Sequence, residues 1–145
     1  MHPTAANFCA MSAEQQRLVH LRLLDHALEI WEQHYPAGGR PTYRETVTGT
    51  IQELDVQLPS EALTAVREQC DLANIAVRYQ EPIVSLQDCD LKLPEAAEFA
   101  YYAIYNAFRL HAMSCKIDPW LVVNQVLSAV GEEQAVSVLE AAVNG

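Results

Sequence analysis

Basic side chains are scarce in this 145-residue chain: nine Lys and Arg stand against nineteen Asp and Glu, a net charge of −10. The shortage is general, since residues 1–80 carry six basic and ten acidic groups and residues 81–145 carry three and nine. Proteins grip nucleic acid by neutralising phosphates, and anionic membranes with basic clusters, so the sequence predicts no nucleic-acid and no membrane partner. Long apolar runs are missing too, with nothing near the roughly 18 residues a membrane-spanning helix needs. The four cysteines, Cys9, Cys70, Cys89 and Cys115, include no C-x-x-C pair for zinc or redox work. Residues 1–16 hold no Lys or Arg, and Phe8-Cys9-Ala10-Met11 is too short for the apolar part of an export signal. These features predict a cytoplasmic protein with reduced, mostly buried thiols. Glycine is sparse, five residues in all, and Gly38-Gly39-Arg40 is a turn with a cation rather than a phosphate loop.

What is present is apolar helix. Half of the residues are hydrophobic, and the length suits one domain with a core that needs no staples. Ser12 and Gln15 form a capping box that opens a helix to about His34, with Leu21, Leu24, Leu28, Trp31 and Tyr35 as its inward stripe. Pro36-Ala37-Gly38-Gly39 ends it. Thr42 and Glu45 then read as a second capping box, for a helix with Val47, Ile51, Leu54 and Leu58 on its apolar face. Thr46, Thr48, Gly49 and Thr50 weaken that helix by propensity. Ser60 is expected to cap a third helix with the stripe Leu63, Val66, Cys70, Ala73 and Val77, stopping before Pro82.

Pro82 to Leu93 is the least regular stretch, with Ile83–Leu86 a helical turn or an extended piece. Pro94 suits the first turn of a fourth helix, to about Cys115, that is apolar nearly all round and belongs in the middle of a bundle. Asp118 caps and Gly131 closes a fifth, with Trp120, Val123, Leu127 and Val130 inward. A sixth, opened by Glu132 and Glu133, faces inward through Val136, Leu139 and Val143. The expected architecture is all-α: one compact bundle of five or six helices, residues 1–145, with residues 1–11 a flexible arm.

Chemistry-bearing patterns are few. No two of His2, His20, His26, His34 and His111 stand three or four residues apart, the usual helical spacing of metal ligands. His26 points to solvent, and His20 and His34 lie along one edge of the first stripe. Asp88-Cys89-Asp90 begins like a calcium loop but continues with Lys92, Leu93 and Phe99 at positions five, six and twelve. Asp88, Asp90, Glu95 and Glu98 read instead as an acidic patch at a helix N-terminus. Glu98, Tyr102, Tyr105 and Arg109, beside Asn106, follow one helical face and are expected to form an internal hydrogen-bond network. The alternative is a pocket of Glu98, Tyr102, Tyr105, Arg109 and His111, serving a small helical enzyme or ligand binder. Cys115 lies one turn after His111, yet nothing near it activates a thiolate. No catalytic residue, cofactor or metal is predicted, and the chain reads as a non-enzyme.

The stretch His26–Pro41, an aromatic and acidic helix end followed by Pro36, a short turn and Arg40-Pro41, resembles small all-α immunity proteins of bacterial polymorphic-toxin systems. The later alanine-rich helix, Glu95–Ala112, adds to the likeness. The resemblance implies a cytosolic binder that neutralises a toxin stoichiometrically, and a basic toxin domain would suit an acidic partner. The surface acids expected to meet it are Glu29, Glu32, Asp88, Asp90 and Glu95. A homodimeric scaffold is the blander alternative.

Overall fold

The structure, a computed structural model, describes residues 2–145. Seven α-helices and one small hairpin make it up: α1 Pro3–Cys9, α2 Ala13–His34, β1 Thr42–Arg44, β2 Ile51–Glu53, α3 Leu58–Glu68, α4 Ile75–Gln87, α5 Glu95–Ala112, α6 Pro119–Val130 and α7 Glu132–Asn144. The fold is helix-dominated, though not strictly all-α, and it has more helices than the five or six expected.

α5 sits at the centre and packs against α2, α3 and α6. Its alanines explain how. Ala97, Ala100, Ala103 and Ala107 are wholly buried beside Tyr101, Ile104 and Phe108, so neighbouring backbones come close while the large rings fill the gaps between helices. The helix stops at Ala112, before the expected Cys115, because Ser114 takes a left-handed conformation, φ 56°. α2 begins at the predicted capping box, with Gln15 N–H donating to Ser12 Oγ and Ser12 N–H to Gln15 Oε1. Its buried face is Val19, His20, Leu23, Leu24, Ala27 and Trp31; Leu21 and Leu28, expected inward, are half-buried. Residues 1–11 are no flexible arm among the described positions. Pro3–Cys9 is helical, Phe8 is fully buried, and α1 packs on α7.

The second predicted helix is a hairpin. Thr42 faces Glu53, Tyr43 faces Gln52 and Arg44 faces Ile51 in antiparallel register. The threonines, Val47 and Ile51 favour extended backbone, and Gly49 turns the chain at φ 73°. Tyr43 and Leu54 point into the core, whereas Val47 and Ile51, expected to be buried, are 81% and 58% exposed.

α3 starts at Leu58, with Pro59 in its first turn, so Ser60 lies inside the helix and caps nothing. It ends at Gln69, φ 55°, and a 3-10 turn at Leu72–Asn74 redirects the chain, with Ala73 and Asn74 also left-handed. The expected stripe therefore breaks after Val66, leaving Cys70, Ala73 and Val77 exposed. α4 then runs through Pro82, burying Ile75, Tyr79, Pro82, Ile83 and Ser85.

α6 has the predicted caps, with Trp120 N–H donating to Asp118 Oδ1 and Gly131 at φ 92° closing it. It buries Val122, Val123, Val126 and Ala129, while Trp120, Leu127 and Val130 are half-buried. α7 buries Val138, Leu139 and Ala142; Val136, expected inward, is 52% exposed. The thiols depart from expectation as well: Cys9, Cys70 and Cys89 are exposed and Cys115 is half-buried, because each stands at or beyond a helix end. No described helix is long and apolar enough to cross a membrane.

Candidate functional site

Two places on this scaffold carry chemistry. The first is acidic. Glu29 and Glu32 lie on the exposed face of α2, Asp88 and Asp90 in the α4–α5 connection, and Glu95 at the start of α5. None of the five makes an ion pair or a side-chain hydrogen bond among the described residues.

Most of the arginines, by contrast, are engaged internally. Arg17 pairs with Glu14, Arg67 with Asp25, and Arg78 with both Asp55 and Glu61. Arg22 donates to the Ala142 carbonyl and Arg44 to the Gly49 carbonyl, while the Arg109 guanidinium lies 5.4 Å from the Tyr105 ring centre. The negative excess is thereby left on the surface. Glu29 borders two adjoining hollows. One, of about 410 Å³, lies between α2, Ala96 of α5, α6 and α7; the other, of about 380 Å³, is lined by Asp25, Leu28, Glu29, Glu32 and Gln33. Ala96 places neighbouring Glu95 near the first hollow, whereas Asp88 and Asp90 line neither. Trp31, expected inward, is fully buried, and Tyr35, also expected inward, is half-buried and tilted against it with ring centres 4.5 Å apart.

The polar stripe of α5 is not an internal network. No hydrogen bond joins Glu98, Tyr102, Tyr105 or Arg109 among the described residues; Glu98 is exposed and the other three are half-buried. The stripe follows the border between core and solvent, where the ring faces pack, as Tyr105 does on Tyr79 at 4.7 Å, and the polar ends stay wet. Burial, with help from the Glu98 carboxylate, raises the Tyr102 hydroxyl above its usual pKa. Asn106 bonds outside the group, donating to Gln125 Oε1 at 3.0 Å. His111 turns away toward α2, and the cleft it lines holds none of the other four.

That turn creates the second place, which the sequence did not disclose. His20 and His111 meet ring to ring, with Nδ1 of His20 2.8 Å from Nε2 of His111 and the ring centres 5.1 Å apart. Nε2 of His20 lies 2.9 Å from the Pro119 carbonyl oxygen. A carbonyl only accepts, so Nε2 of His20 carries the hydrogen and its Nδ1 is bare; His111 must then donate from Nε2. One nitrogen of the pair, Nδ1 of His111, is left without a partner among the described residues. His111 lines a cleft of about 210 Å³ with Glu14, Arg17, Gln69 and Pro119.

Burial drives both imidazoles toward the neutral form. His20 is lowered to about 4, chiefly by desolvation against the opposing Pro119 bond, and His111 to about 4 by desolvation and then by the His20 charge. Two charged rings at this separation would repel by about 3 kcal/mol at an effective dielectric near 20. The hydrogen bond to Arg17 holds the Glu14 carboxyl below its usual range. Only one sequence feature hinted at this meeting: each histidine sits on an otherwise apolar helix face. No cluster of three or more His, Cys, Asp or Glu among the described residues could hold a metal ion. No protein-family model, no curated protein and no solved structure matches the chain.

Proposed function

We propose that this is a non-enzymatic binding protein of the immunity type, which neutralises a basic bacterial toxin domain in the cytoplasm by stoichiometric occlusion. The observation that supports this reading is the distribution of charge. Arg17, Arg40, Arg67 and Arg78 are paired with other carboxylates, while Glu29, Glu32, Asp88, Asp90 and Glu95 stay exposed and, among the described residues, unpaired. Acids kept clear of internal partners raise the local concentration of a cationic protein and speed its docking. The hollows beside Glu29 would receive side chains of that partner, with Glu29 and Glu32 meeting its cations. The resemblance over His26–Pro41 points the same way.

The test is co-expression with the protein encoded beside this one. The wild type should protect cells and form a one-to-one complex whose association rate falls about 10- to 100-fold when all five acids are changed to Lys. High salt should slow the wild type comparably. A neighbour that is harmless alone, or an association rate indifferent to the five reversals, overturns the reading.

A further inference from the structure

We propose that the His20–His111 pair is an acid-operated latch, joining α1, α2, α5 and α6 while it carries at most one extra proton and releasing α1 when it takes a second. The first proton has a place to go. On Nδ1 of His111 it leaves both existing hydrogen bonds intact, because that nitrogen takes part in neither. The second has none. It must enter Nδ1 of His20, which turns the accepting end of the 2.8 Å contact into an N–H aimed at another N–H.

The surroundings offer this second charge no counter-ion. From α2, the Glu14 carboxylate is already clasped by Arg17 at 2.9 and 2.6 Å, so that pair is neutral as a whole. From α6 comes the Pro119 carbonyl, which already accepts from His20, and from α1 only the Phe8 ring, 5.6 Å from the His20 ring. Phe8 in turn rests on Trp120 at 6.0 Å, so charge appearing at His20 lies directly beneath the contact that seats α1 on α6. α1 is the element that gives way, being seven residues long and anchored by Phe8. One other imidazole touches α1: His2 caps it, accepting from Thr4 N–H at 3.1 Å, and lies 3.8 Å from Glu140. Its titration has to be separated from that of the pair.

The experiment labels the protein with 5-fluorotryptophan and with ¹⁵N-histidine and follows both by NMR from pH 7.5 to 2.5. At pH 7.5 both histidines should show hydrogen on Nε2. Acid should first protonate His111, and then, at lower pH, move the Trp120 fluorine resonance in a one-proton transition, with Trp31 unmoved. His111→Gln keeps a donor to His20 without a neighbouring positive charge, so its Trp120 transition should fall by at least about one pH unit. His2→Ser, which retains a capping oxygen, should open as the wild type does. Opening at the same pH in His111→Gln, abolition of opening by His2→Ser, or no opening down to pH 2.5 each overturns the latch. Should His111→Gln not fold, a hydrogen on Nδ1 of either histidine in the neutral wild type overturns it equally, and hydrogen on both Nε2 atoms with a Trp120 transition that follows His111 protonation upholds it.

Discussion

The α2–α5–α6 stack and the stretch from Thr42 to Gln87 are built by different chemistry. In the stack, Leu23, Leu24, Ala27, Ile104, Phe108, Val122 and Val126 are wholly buried, and the backbone is regular helix throughout. The second region buries Leu58, Ala62, Leu63, Ala65, Val66, Ile75 and Tyr79 as completely, and adds polar ties. Arg78 of α4 joins Asp55 after the hairpin to Glu61 of α3. Glu81 accepts from Thr46 N–H, Thr46 Oγ1 and the buried Ser85 hydroxyl. Three non-glycine residues, Gln69, Ala73 and Asn74, are left-handed there, and the Tyr79 hydroxyl, like that of Tyr101 in α5, is buried without a partner among the described residues. Dense apolar packing resists local opening, whereas few polar ties and strained backbone invite it. The difference teaches that one small domain holds two tiers of stability, joined at Trp31, whose Nε1 donates to the Val56 carbonyl at 2.8 Å.

The sharpest way to break that division is to remove the joint. Trp31→Ala should cost about 4 kcal/mol by urea denaturation and loosen both regions together. Acid comes next and strikes the stack through its histidine pair. His20 and His111 titrate near 4 when folded against 6.5 ordinarily, so the unfolded chain binds more protons between those values and stability falls as pH drops through them. About 3 kcal/mol should be lost from pH 6.5 to 4 on account of buried His20, seen in urea midpoints and kept in His111→Gln, which removes only the other imidazole's share. Glu81→Ala acts on the other tier. It should cost about 1–2 kcal/mol, and hydrogen exchange should quicken at Tyr43–Glu53 while α5 amides keep their protection. The smallest effect has the opposite sign: Gln69→Gly relieves a left-handed helix end and should add about 0.5 kcal/mol in the same urea measurement.

The stack was legible in the sequence because its signals are local. Ser12 with Gln15, Asp118 with Pro119, and Gly131 each satisfy or terminate helix backbone within a few residues. The second region was not, since what decides it is tertiary. Val47 and Ile51 fall at helical spacing by chance, and Gly49 with the surrounding threonines tips the segment into a hairpin that Trp31 and Glu81 then hold. α3 ends on Gln69 rather than on a glycine, so nothing in the sequence marked the break. At the candidate site the acids were legible as surface, because exposure follows from charge on a polar face. The His20–His111 meeting was not, as it joins positions 91 residues apart that only the packing of α2 on α5 brings together.

Gly131 serves as the last cap of α6 and the first of α7, an elbow one residue long. With no slack between the two helices, the phase of α7 is geared to that of α6. A single residue inserted at the elbow would advance α7 by about 100° about its own axis, carrying Leu139 to the exposed place of Glu140 and bringing Ser137 and Ala141 to the core in place of Val138 and Ala142.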